Sequence, residues 1–226
     1  MSVTKREIEP RGRGRPQLRS DDETRAIIFE DARHEFAANG YAATSMEAVA
    51  RRAGVSTKTL YRLVPNKAAL FEAMVTERID RFASVVKLRG CRGRDIETAL
   101  TDALIVFAEL ILDGEVIALQ RVILAESDKF PEAAETFYHK AIRRTEDTLA
   151  GWLKAQAARG LIEIGDATAT ASMLLGMLAF QPMRAVMFGH EPPPGREEIE
   201  RRARECAVLF LKGCGRGGLG PSPATP

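Results

Sequence analysis

Cysteine is scarce: the 226 residues hold three, Cys91, Cys206 and Cys214. An odd number without CxxC spacing excludes a disulfide framework and gives no zinc pattern, so reduced thiols are expected, with a redox sensor as the alternative. No run approaches the roughly 18 consecutive apolar residues of a membrane span, and the basic N-terminus lacks the apolar stretch of a secretory signal. The expectation is a cytoplasmic protein without membrane contact. His34, His139 and His190 are far apart and show no arrangement typical of a metal site. No other ionisable groups converge into a catalytic pattern, so no catalytic residue, metal or cofactor is assigned and an enzyme is disfavoured. There is no sustained period-two alternation and no internal repeat.

Hydrophobic residues make up 45% and charged residues 28%, the balance of a chain that folds. The net charge is +2, but residues 1–67 hold 13 Lys/Arg against 9 Asp/Glu while the remainder holds 20 against 22. A basic front end favours a polyanionic partner, because Lys and Arg release counterions from phosphates. Residues 1–20 are rich in Arg, Gly and Pro with few apolar side chains and read as a flexible basic arm. Residues 213–226 read as a second tail. With no strand before it and no helix after it, that glycine-rich tail is a poor phosphate loop.

Between the tails, apolar residues recur at three and four, which predicts an all-α fold. A first helix should start at Asp21 or Asp22, bury Ile28, Ala32 and Phe36, and stop at Asn39-Gly40 on a left-handed glycine. Thr44 with Glu47 has the pattern of a capping box opening a second helix, which Gly54 ends. Ser56 caps a third helix through about Leu63, and a fourth runs from about Lys67 to Leu88. Further helices are predicted over 95–112, 115–128, 132–159, 166–188 and 196–212, separated by glycines and prolines.

The stretch "MEAVARRAGVSTKTLYRLV" meets the demands of a helix-turn-helix. Ala50 and Ala53 are small where two helices must approach, Gly54 permits positive φ in the turn, Val55 and Leu60 fill the core, and Ser56 opens the second helix. The positions left to face a DNA groove are Thr57, Lys58, Thr59, Tyr61 and Arg62, beside Ser56. In the arm, Arg13-Gly14-Arg15-Pro16 matches the core of AT-hook segments, whose arginines lie in a narrow minor groove. A basic tail giving sequence-independent attraction is the equal alternative.

At these residues the chain resembles the TetR/AcrR family of bacterial regulators. The stretch from Ile28 to Leu70 matches that family's DNA-binding region at Phe36, Gly40, Thr44, Val49-Ala50, Ala53-Gly54-Val55-Ser56, Leu60-Tyr61, Pro65, Lys67 and Leu70. It departs at Val64, usually an aromatic core plug. The resemblance implies that Thr57, Lys58, Thr59 and Arg62 face the groove and that Thr44, Tyr61 and Lys67 hold phosphates of double-stranded DNA. The run from Leu119 to Gly189 looks like the C-terminal domain of AefR-like members, which implies a small-molecule effector. Phe107, Ile111, Gln120, Ile123, Phe137, Tyr138 and Met177 are the candidates to line its pocket.

The organisation expected is a three-helix helix-turn-helix domain over 21–66, a connecting helix over 67–88, and a larger helical ligand-binding and dimerisation domain over 89–212. A helix-turn-helix unit gains specificity by pairing two half-sites, so a homodimer is expected. The family pairs its last two helices, which points to Met173, Gly176, Met177, Phe180, Ala203, Ala207 and Phe210. The function implied is an effector-released repressor at a pseudo-palindromic operator. An architectural DNA-binding protein without effector and a ligand-dependent activator are the alternatives.

Overall fold

The computed structural model describes residues 19–88 and 95–213. The arm with Arg13 and Arg15, the stretch between the fourth and fifth predicted helices with Cys91, and the tail with Cys214 lie outside the described residues. Every regular element among the described residues is helical.

Helix α1 (Asp21–Ala43) starts on a complete capping box: Glu23 N–H donates to Ser20 Oγ at 3.1 Å, and Ser20 N–H donates to the Glu23 carboxylate at 2.8 Å. The helix is broken where expected, at Gly40, whose φ of 84° and ψ of 171° lie in a region open essentially to glycine alone. One more helical turn follows the break. Helices α2 (Met46–Arg52) and α3 (Thr57–Leu63) are short, and α4 (Lys67–Leu88) is long. Then come α5 (Ile96–Ile111), α6 (Gly114–Glu126) and α7 (Pro131–Phe137), which runs through a π-helical turn (Tyr138–Arg143) into α8 (Arg144–Ala158). Helices α9 (Ala167–Met187) and α10 (Arg196–Gly213) close the chain.

Two apolar cores form. The first gathers Ile28, Phe36, Val49, Leu60, Leu70 and Phe71 from α1–α4, and it is completed from α6 and α7 by Leu119, Ile123, Ala133 and Phe137. The second joins α5, α8, α9 and α10 through Leu100, Leu104, Phe107, Leu149, Leu153, Leu174 and Ala203. Helix α4 serves both: Leu70 to Val75 pack in the first, while Phe82 meets Phe107 edge-on in the second at 4.8 Å. Pro182 lies inside α9 and cannot donate to the carbonyl four residues back, Leu178. Arg202 of α10 supplies the missing donor, with Nε 3.2 Å from that oxygen.

Candidate nucleic-acid interface and effector cavity

The turn between α2 and α3 is built from the residues its geometry requires. Gly54 has φ 64°, and Val55 N–H donates back to Ala50 O at 3.0 Å. Ala50, Ala53 and Leu60 are buried beneath it, and Val64 fills the core in place of an aromatic. Ser56 is the N-cap of α3, accepting from Thr59 N–H at 3.0 Å. Its hydroxyl also meets that of Thr59 at 2.8 Å.

On the outer face of α3, Thr57, Lys58, Tyr61 and Arg62 are exposed and Thr59 is half-buried. Arg62 is held by a bidentate pair to Asp21 at the start of α1, at 2.7 and 2.8 Å, which raises the guanidinium's pKa above its ordinary value. The Tyr61 hydroxyl lies 3.4 Å from Glu47. Lys58 makes no ion pair or hydrogen bond among the described residues.

Two expected phosphate ligands are placed otherwise. Thr44 is buried and is the C-cap of α1, not the N-cap of α2: that position is Ser45, which accepts from Ala48 N–H at 3.1 Å. The Thr44 hydroxyl instead donates inward to Gly40 O at 2.7 Å, satisfying a carbonyl exposed by the break in α1. Lys67 Nζ donates to the carbonyls of Tyr41, Ala42 and Thr44 at 2.7, 3.3 and 3.2 Å and sits 4.7 Å from the centre of the Tyr41 ring. The N–H groups of Tyr41 and Ala42 donate to Glu126 of α6 at 2.8 and 3.1 Å. The segment after Gly40 is thus clamped by an ammonium from α4 and a carboxylate from α6, and burial pushes the Tyr41 phenol up in pKa.

A cavity of about 290 Å³ opens between α1, α4, α6, the π-helical turn and α9. Of the expected lining residues it takes Ile111, Gln120 and Phe137. Phe107 and Ile123 are core residues instead, filling the second and first cores. Tyr138 points outward against His139, and Met177 lies on the outer face of α9. Beyond Gln120, the polar part of the lining was not anticipated: Arg33, Arg78, Glu115, Thr145, Glu146 and Ser172. Arg78 had a readable signal, since it interrupts the apolar row Leu70, Met74, Arg78, Phe82 at spacing four.

Of the positions expected at a dimer interface, Met173, Gly176, Met177 and Phe180 form an exposed stripe on α9. Ala203 and Ala207 are fully buried within the chain and Phe210 packs against the same core, because α10 turns its small residues inward on α5. Leu209, 61% exposed, is the outward apolar residue of α10 that periodicity alone did not single out. Among the described residues no group of three or more His, Cys, Asp or Glu could hold a metal ion, and no helix is long and apolar enough to cross a membrane.

An exposed, capped recognition helix braced by a three-helix core, joined by α4 to a helical body with a ligand-sized cavity, defines a DNA-binding helix-turn-helix regulator. Comparison with known proteins assigns the family. Residues 28–74 match the model of bacterial regulatory proteins of the tetR family, and residues 98–214 match the C-terminal domain of AefR-like transcriptional repressors. The chain is 31% identical over 103 residues to the HTH-type transcriptional repressor ComR of Escherichia coli (strain K12), a match spanning 45% of this chain and 47% of that protein. A TetR-family regulator from Mesorhizobium loti MAFF303099 superposes with a TM-score of 0.72 at 30% identity, covering 85% of this chain and 96% of the other. The flavonoid-responsive regulator FrrA superposes with a TM-score of 0.60 at 27% identity, covering 90% and 100%. The chain belongs to the TetR family of transcriptional regulators and carries an AefR-like C-terminal domain.

Proposed function

We propose that the protein is a repressor that binds a pseudo-palindromic operator as a homodimer and leaves it when a small, mainly apolar effector fills the cavity. Thr57, Lys58, Thr59 and Arg62 would read the groove, with Ser56 and Tyr61 at its edges. The DNA-binding unit comprises 21–66, the connecting helix 67–88, and the effector and dimerisation unit the remainder to 212. The observation that carries this reading is α4: it begins beside α3, packs in both cores, and lines the cavity with Met74, Val75, Arg78 and Ile79.

A ligand that wedges α4 away from α1 or α6 changes the angle at which α3 is presented, and in a dimer that changes the spacing of the two recognition helices. The ligand need only prefer the DNA-incompetent spacing by about 2.7 kcal/mol to weaken the operator complex a hundredfold. The exposed α9 stripe of Met173, Gly176, Met177 and Phe180, with Leu209, supplies the apolar surface for pairing two copies. That FrrA responds to flavonoids, by its own description, supports an effector with an apolar body. Titrating promoter DNA with the full chain, alone and with candidate effectors, tests the proposal. Specific binding by two chains that an effector reverses is expected; binding without sequence preference contradicts it.

A further inference from the structure

The charged groups on the cavity wall are unequally satisfied. Glu115 approaches Arg33 through Oε2, its Oε1 lies 2.7 Å from His34 Nδ1, and His34 Nε2 faces Glu30 at 3.5 Å. Arg33 is paired with Glu30 as well. Glu146 lies 3.3 Å from Arg143 and accepts from the Ser172 hydroxyl at 3.2 Å. Both wall carboxylates therefore face cations or donors already, Glu115 Oε2 through its charge contact with Arg33 and without a hydrogen bond of its own.

Arg78 differs. Its Nε–H is buried and has no acceptor, and the carboxylate it pairs with among the described residues is Asp113, 3.4 Å from a terminal nitrogen. The Asp113 oxygen concerned already caps α6, accepting from Glu115 and Val116 N–H at 3.1 and 3.0 Å. Burial lowers the pKa of the Arg78 guanidinium, and the nearby charges of Arg33 and Arg81 add to the effect while Asp113 and Glu30 oppose it. A buried donor without an acceptor, beside a second guanidinium, is a wall that lacks an anion.

We infer that the cavity takes an amphipathic acid, whose carboxylate bridges Arg78 of α4 and Arg33 of α1 while its apolar body lies among Met74, Leu119, Phe137 and Met183. The inference rests on the reading of this cavity as the effector site and names the effector's chemical class. It also gives the acid a lever. Arg33 is held by Glu115 of α6, so a carboxylate that binds Arg33 competes with the ion pair joining α1 to α6. A volume of about 290 Å³ suits a small acid, near the lower end of ligand pockets.

Isothermal titration calorimetry of the full chain with octanoate and 1-naphthoate, each against its uncharged amide and against octylamine, tests this. At least one acid should bind one per chain, tenfold or more tighter than its amide and than the amine. Arg78→Gln should bring that acid's affinity down to the amide's while leaving amide affinity and the melting profile unchanged. If Arg78→Gln does not fold, Arg33→Gln carries the test with the same expected loss of preference.

Equal affinity for acid and amide, preference for the amine, binding of neither acid, or a preference that survives the substitution overturns the assignment. The same samples are titrated against promoter DNA. An acid that binds through Arg78 without weakening the DNA complex refutes effector release and leaves the acid site standing. Release by uncharged ligands alone refutes the acid site and leaves effector release standing.

Discussion

Lys58 and Lys67 carry the same charge near the same helix and do different things. Lys58 extends from α3 into solvent, whereas Lys67 is committed to three backbone carbonyls and a tyrosine face. Lys67→Gln should therefore destabilise the chain by about 1–2 kcal/mol in urea unfolding, the scale of partly exposed charge-assisted hydrogen bonds, and leave the salt dependence of DNA binding unaltered. Lys58→Ala should leave the unfolding curve in place and reduce the slope of log affinity against log salt by about 0.9. The opposite pattern would restore Lys67 as the phosphate ligand. Arg62 is latched to Asp21, and on the proposed reading DNA would displace that latch. Asp21→Asn should then tighten DNA binding in an anisotropy titration, and a weaker complex would mean that the latch instead orients Arg62 for the groove. The difference between legible and illegible residues is one of range. Ser56 and the turn at Gly54 act on neighbours within five residues, so their roles follow from spacing. Lys67 finds its carbonyls 23 to 26 residues away, and Glu126 reaches amides 84 and 85 residues away, distances that spacing does not encode.

At the scale of elements, most helix positions were readable because caps, glycines and prolines punctuate them, and apart from the end of α1, which runs three residues past Gly40, the predicted bounds fall within about two residues of those observed. What the pattern could not convey is which faces meet. Ile123 and Phe107 look alike as apolar helix residues, yet one closes the first core and the other the second, and neither reaches the cavity. The π-helical turn was equally hidden, since Tyr138–Arg143 reads as a continuous helix. The break at Gly40 is the element-level feature with the clearest consequence. A Cβ there would lie 3.0 Å from both Val122 Cγ1 and the Glu126 carboxylate, in a left-handed backbone, whereas one at Gly54 would meet nothing within 4 Å. Gly54→Ala should cost about 1 kcal/mol from backbone strain alone, and Gly40→Ala about 2–4 kcal/mol, with the excess arising from its glycine-only backbone region and from the α1–α6 contact. Equal costs in urea unfolding would mean that the clamp on α1 adjusts freely.

For the whole molecule, α4 joins the two cores and α1 rests on α6, so the recognition helix cannot be reoriented without disturbing the cavity wall. The same architecture leaves one apolar stripe on α9 facing solvent, with Met173 74% and Phe180 55% exposed. Met173→Glu with Leu209→Glu should convert the proposed dimer to a monomer in sedimentation velocity, with secondary structure retained, because neither side chain supports the intrachain core. Dimers that persist would place the interface elsewhere. The fold class and the DNA-reading helix were visible in the sequence because they rest on local signals. The cavity's polar wall depends on α1, α4 and α6 converging, which only the assembled chain displays.

The most direct test of DNA reading by α3 is selection of bound duplexes from a random library by the full chain, followed by anisotropy titration of the enriched site. A pseudo-palindrome is predicted, with half-site centres about one helical turn or a multiple apart, bound by two chains and weakened at least tenfold by Arg62→Ala. Failure to enrich any sequence, or an enriched site that Arg62→Ala, Thr57→Ala and Lys58→Ala all bind as wild type does, would contradict the account.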